Sequence, residues 1–137
     1  GVVARELPLV WPMHPRARGA LTRHGLEVPP GIEVIEPVGY RAMTAWLAGA
    51  AMVVTDSGGL QEESTALGVP CVTLRESTER PITVTEGTNE LATPDSLPDQ
   101  VARILAGEWK QGRVPDLWDG HTGPRIIDVI EEFLAGR

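Results

Sequence analysis

The chain has 137 residues, 42% of them hydrophobic and 23% charged, which is the length of one domain with one core and excludes a disordered or fibrous chain. The formal net charge of −7 excludes a general nucleic-acid surface, because such a surface needs Lys and Arg clustered over one face; any anion site must be local. The longest apolar run, near Ala45 to Val54, is too short to span a bilayer, and no leader pattern precedes it, so a cytoplasmic protein without membrane contact is expected. A single cysteine, Cys71, excludes an internal disulfide and suits a reducing compartment; its neighbours Val69, Pro70, Val72 and Leu74 mark it as a small buried residue rather than a reactive thiol.

In chain order, a strand is expected at Leu9 to Met13, then a helix over Arg16 to His24 with Ala17, Ala20 and Leu21 on one side. Gly25 stops that helix, and His24 stands where a histidine interacts with the helix dipole. A second strand follows at Ile32 to Ile35. Ala42, Met43, Trp46, Leu47 and Ala50 then form the apolar stripe of a second helix. The third strand covers Met52 to Thr55, and Leu60 to Leu67 is a helix that Gly68 caps. A fourth strand spans Cys71 to Leu74, and a weaker fifth Thr88 to Leu91. Asp95 to Ala106 is a helix opened by Asp95 or Ser96 and closed by Gly107. Gly107 to Gly120 is a loop whose Trp109 and Trp118 are too apolar to leave bare. Thr122 to Leu134 places Ile126, Ile127, Ile130 and Leu134 on one stripe, expected to pack on the sheet or on a neighbouring domain. Strands alternating with helices require parallel pairing through right-handed crossovers, so the fold class is α/β, doubly wound.

Ligands gather at the carboxyl ends of the strands in such a sheet, and Thr55 to Gly59 forms the loop at one of these ends. Gly58 and Gly59 let backbone N–H groups approach an anion, the next helix adds partial positive charge, and Ser57 offers a hydroxyl. A diphosphate is the natural guest. The alternative is that Asp56 or Ser57 caps the helix and the glycines only make a tight turn. Glu62 and Glu63, expected in the first turn, suit the helix dipole; beside a phosphate, one of them has to face away or accept ribose hydroxyls. In the segment "RESTERP", Arg75 or Arg80 could neutralise the same diphosphate, or pair on the surface with Glu76 or Glu79.

The segment "TDSGGLQEESTALGVPCVTLRESTERP" resembles the signature of the non-hydrolysing UDP-N-acetylglucosamine 2-epimerases, and the similarity extends to "WPMHPRAR", "IEVIEPVGY", "EGTNELA" and "DGHTGPRIIDVI". Together these segments cover nearly the whole chain. The resemblance implies a glycosyltransferase-B architecture of two Rossmann-like halves around a cleft, with residues 1–137 as one UDP-binding domain, the C-terminal half. It also implies Ser57, Gly58 and Gly59 on the diphosphate, Glu63 on the ribose hydroxyls and Arg80 on the phosphates. Met43 stands where the family has an aromatic residue near uracil, and is otherwise a core residue. His14 resembles a family histidine linked to a second, regulatory nucleotide-sugar site, and is otherwise a hydrogen-bonded residue at a strand end.

The reaction implied is inversion at C2 of UDP-N-acetylglucosamine to UDP-N-acetylmannosamine, by elimination of UDP through a glycal and its re-addition. The family's acid and base carboxylates lie in its N-terminal half, and its "HRxEN" segment comes just before the point where this sequence starts. A fragment is therefore expected that keeps the UDP subsite, is inactive alone and has the N-terminal domain as partner, with a homodimer as a further expectation. Glu36, Glu79 and Glu86 form no catalytic pair, so the catalytic residues are not identified from this chain. His14, His24 and His121 have no metal-ligand spacing, so no metal and no cofactor are expected. A UDP-sugar glycosyltransferase domain of the same architecture, and a non-catalytic UDP-binding module, are the alternatives.

Overall fold

In the computed structural model, which describes residues 7–136, every strand runs parallel to its neighbour. β1 (Leu9–Pro12) pairs with β2 (Ile32–Ile35), Leu9 opposite Ile32 and Pro12 opposite Ile35. β3 (Val53–Thr55), β4 (Cys71–Thr73) and β5 (Asn89–Leu91) form a second sheet in that order. The α/β alternation read from the sequence is therefore present, but β1 and β3 share no ladder, and the strands divide into a two-stranded and a three-stranded sheet.

The crossover helices start and stop for local reasons. α1 (Pro15–His24) follows His14, whose Nδ1 accepts the N–H of Arg16 at 3.2 Å, and begins with a proline whose fixed φ suits a first helical turn. It ends at Gly25, whose φ of 62° lets its N–H reach back to the carbonyls of Leu21 and Thr22. α2 (Tyr40–Ala48) joins β2 to β3 and lies against α3 (Gly58–Leu67). A short helix, α4 (Pro81–Thr85), was not legible from periodicity because five residues make little more than one turn. α5 (Leu97–Leu105) opens at Ser96 rather than Asp95, and the Ser96 hydroxyl turns back to accept the N–H of Thr93 instead of capping its own helix.

The buried centre sits on β4, with Cys71, Val72 and Thr73 fully enclosed, and it is unusually polar: Gln61, Ser64, Thr65, Thr83, Thr88 and Asn89 are buried beside Val69, Ala92 and Val101. Most of these groups are hydrogen-bonded, Thr65 Oγ1 and Gln61 Nε2 being the exceptions, so this end of the fold is specified largely by a side-chain network. The loop after α5 is pinned over it. Trp109 Nε1 donates to the carbonyl of Thr88 at 2.8 Å under the Arg103 guanidinium, and Lys110 Nζ donates to the carbonyl of Val84 at 2.6 Å. Gly112 crosses so close to Gly87 that a Cβ on it would lie 2.3 Å from the Gly87 carbonyl carbon.

α6 (Thr122–Ala135) forms where its apolar stripe predicts. The stripe is not packed on the sheet, however: Ile126, Ile127, Ile130 and Leu134 are each half or more exposed. The helix is tied instead at its start, where Arg125 Nη1 donates to Asp119 Oδ1 at 2.8 Å.

Candidate functional site

The loop after β3 is built from two devices. Thr55, buried at the strand's end, accepts the Ser57 N–H on its hydroxyl at 3.0 Å, which turns the chain out of the sheet. α3 then begins at Gly58, two residues before the apolar pattern starts, so both glycines belong to the first helical turn. Ser57 occupies the N-cap position but makes no side-chain capping bond. The simple capping arrangement with Ser57 weighed from the sequence is therefore not the one adopted, and the first N–H groups of the helix are left without it. An earlier start also moves Glu62 and Glu63 beyond the first turn, which contains no acid, so their expected pairing with the helix end is corrected.

Charges from the segment after β4 converge on the same turn. A Cβ at Gly58 would lie 2.9 Å from Glu79 Oε1 and 3.8 Å from Arg80 Nε, so the absence of a side chain there gives both groups room against the backbone. Arg75 makes the surface pair, donating to Glu79 Oε2 at 2.8 Å. Arg80 does not pair with Glu76 or Glu79; its Nε lies 2.9 Å from Glu62 Oε1, a close ion pair in which the N–H is not aligned as a hydrogen bond. The Glu79 carboxyl is held below its ordinary range, first by its own peptide N–H and then by the positive charges of Arg75 and Arg80. The turn thus has uncapped N–H groups, one guanidinium with donor capacity to spare, and a carboxylate lying against it. Such a pocket takes an anion that can displace a carboxylate.

Ser57, Gly58, Gly59 and Arg80 therefore come together. Glu63 lies half-buried on α3 and makes no ion pair among the described residues. No hydrogen bond or ion pair among the described residues ties Met43, half-buried on α2, or His14 to this turn. His14 is exposed and acts as the N-cap of α1; Arg18 and Glu36 pair at 2.9 Å. The Glu62–Arg80 pair and the side chains that hold Arg80 were missed, since their partners are far apart in the chain.

A second, open depression at Glu86, Lys110 and Arg113 offers no comparable site, because Arg113 is paired with Glu86 at 2.7 Å and Lys110 is committed to a carbonyl. Among the described residues no group of three or more His, Cys, Asp or Glu could hold a metal ion. No helix of these residues is long and apolar enough to cross a membrane.

Known proteins resemble this chain over nearly its whole length. A family model described as UDP-N-acetylglucosamine 2-epimerase matches residues 2–131. The chain is 39% identical over 131 residues to a UDP-N-acetylglucosamine 2-epimerase of Methanococcus maripaludis, covering 91% of this chain and 35% of that protein. It is 48% identical over 130 residues to the UDP-2,3-diacetamido-2,3-dideoxy-D-glucuronate 2-epimerase of Pseudomonas aeruginosa, covering 93% and 35%. Its fold matches the crystal structure of Methanocaldococcus jannaschii UDP-GlcNAc 2-epimerase in complex with UDP-GlcNAc and UDP, with a TM-score of 0.78, 34% identity and coverage of 93% and 36%. The chain spans about a third of the length of the curated relatives it matches.

Proposed function

The chain belongs to the UDP-N-acetylglucosamine 2-epimerase family, and from that premise we propose that it is the UDP-binding, C-terminal Rossmann-like domain of a non-hydrolysing 2-epimerase. The observation that carries this reading is the first turn of α3, with Gly58 and Gly59 uncapped and the Arg80 guanidinium beside them. In this reading Ser57, Gly58 and Gly59 bind the diphosphate through hydroxyl and N–H groups, and Arg80 pairs with the phosphates after exchanging its Glu62 partner. Glu63, which has no other ion pair among the described residues, accepts the ribose hydroxyls, and Met43 covers the uracil face.

The reaction removes the proton at C2 of the sugar as the bond from C1 to the UDP oxygen breaks, leaving a glycal and free UDP. Re-addition returns UDP to C1 and a proton to C2 on the opposite face. This chain supplies stabilisation of the departing diphosphate: fixed N–H dipoles and a guanidinium meet the negative charge as it grows, without having to reorganise. The acid and base at C2 come from another domain, and no cofactor is required. A cytoplasmic enzyme acting as a homodimer, with His14 at a regulatory nucleotide-sugar site, completes the proposal.

Two sugars compete as substrate. UDP-N-acetylglucosamine is the sugar named for the M. maripaludis relative at 39% identity, and a 2,3-diacetamido uronate the one named for the P. aeruginosa relative at 48% identity. The test is to incubate the product of the whole gene with each UDP-sugar and follow C2 inversion by NMR, without an acceptor. Inversion of either sugar supports the epimerase; turnover only when an acceptor sugar is present would replace it with a glycosyltransferase.

A further inference from the structure

Arg80 is held at its N–H and its carbonyl by the side chains of half-buried Thr78 and buried Thr83, and the hold leads back to the helix that carries the glycines. Its N–H donates to Thr78 Oγ1 at 2.9 Å, and its carbonyl accepts from Thr83 Oγ1 at 2.8 Å and from the Thr83 N–H at 3.0 Å. Thr78 has a single hydroxyl proton, which goes to Gln61 Oε1 at 2.6 Å. The same Gln61 oxygen accepts from Asn89 Nδ2 at 3.2 Å; Asn89 Nδ2 also donates to Thr83 Oγ1 at 3.0 Å, and Asn89 Oδ1 accepts from Thr73 at 2.7 Å. The direction of the chain through Thr78 is fixed, because a peptide N–H can only donate and the threonine proton must then pass onward. Gln61, Thr73, Thr83 and Asn89 are all completely buried.

We propose that Gln61 is a positioning residue that, through Thr78, sets the Arg80 guanidinium against the first turn of α3; the proposal rests on the reading of Arg80 as a diphosphate ligand. Gln61 sits one turn after Gly58 on the same rigid helix. The N–H groups and the guanidinium are thereby referred to a single element, though the loop bearing Arg80 is 17 residues away in sequence from Gln61 to Thr78. Preorganisation of this kind is what electrostatic stabilisation requires, since a misplaced charge must be moved during binding. A purely structural role accounts poorly for the residue. Gln61 Nε2 is buried without a hydrogen-bond partner, and an apolar side chain of similar volume would fill the space without that cost.

The experiment is a thermodynamic cycle on UDP affinity in the product of the whole gene, read by calorimetry, with Thr78→Val, Thr78→Ser, Gln61→Met, Arg80→Ala and the combinations with Arg80→Ala. Thr78→Val and Gln61→Met each weaken UDP about tenfold in the presence of Arg80 and less than about twofold once Arg80 is alanine; Thr78→Ser, which keeps the hydroxyl, stays within about twofold of the parent. An equal loss from Thr78→Val or Gln61→Met in both backgrounds, or no loss in either, overturns the inference while leaving Arg80 as a ligand. Undiminished UDP binding by Arg80→Ala alone overturns the reading of Arg80 and this inference with it.

Discussion

Arg80 is the residue on which the electrostatics of the site turn. Its ion pair with Glu62 is partly exposed, so the pair itself adds little stability, and the guanidinium is available to a stronger anion. Arg80→Ala is expected to weaken UDP binding by about 1.5–3 kcal/mol, the range of a charge-assisted hydrogen bond, with little change in Tm; calorimetry and a melting curve check both parts. Glu63→Ala should lower the preference for UDP over 2′-deoxy-UDP more than it lowers affinity for the deoxynucleotide, as measured by competition. Cys71 is buried and its thiol is pushed up by that burial, so alkylation of the folded protein at neutral pH should be slow and should accelerate on unfolding. The proposed anion loop of Ser57, Gly58 and Gly59 was suggested by the sequence because a glycine pair after a strand carries its chemistry locally; between Arg75 and Arg80 the residues alone did not choose, and only the family resemblance singled out Arg80. Gln61 and Glu62 were not legible in this way: their roles depend on Thr78 and Arg80, which only the fold brings near.

Among the elements, strands and long helices followed their apolar patterns, whereas the start of α3 did not. Glycines carry no hydrophobic signal, so the pattern began at Leu60 although the helix begins at Gly58. α4 escaped for lack of length, whereas α5 was legible, its N-cap falling at Ser96, one of the two openings read from the sequence. The crossing of Gly87 and Gly112 shows how closely the later loop is fitted: a Cβ at Gly87 would lie 2.3 Å from Thr65 Oγ1 and 2.6 Å from the Thr83 carbonyl oxygen. Gly87→Ala should cost about 3 kcal/mol of stability, measured by urea unfolding, because the short, buried Thr65 side chain and the Thr83 backbone carbonyl both block the way. At the start of α6, Asp119 is held well below the ordinary carboxyl range by the Arg125 guanidinium and then by the His121 N–H. A lowered folded-state pKa means the unfolded chain binds the proton more tightly, so the stabilisation is complete above about pH 4 and is lost as the pH falls from there. Amide protection at the start of α6, taken relative to the intrinsic exchange rate at each pH, should therefore fall on acidification below about pH 4, and Asp119→Asn should show that reduced protection already at pH 7.

At the scale of the whole molecule, polar and apolar residues are distributed unevenly. The end that carries the site has a hydrogen-bonded polar core, while α6 presents an apolar stripe to solvent. The stripe was legible as a pattern, but what it packs on was not, because periodicity identifies a face and not its partner. In this chain Ile130→Lys should change stability by less than about 0.5 kcal/mol, against about 2–5 kcal/mol for Leu47→Ala in the core, both by chemical unfolding. The parallel α/β class was likewise legible from the alternation of elements, whereas the division into two ladders depends on hydrogen bonds that no local pattern encodes. UDP binding by this acidic protein requires an anion site formed by the first turn of α3 and one arginine. Titration of the isotopically labelled protein with UDP tests it most directly: the amide resonances of Gly58, Gly59 and Leu60 should shift together with the Arg80 Nε–H in one saturable process, and saturable UDP binding that leaves those four groups unmoved would contradict it.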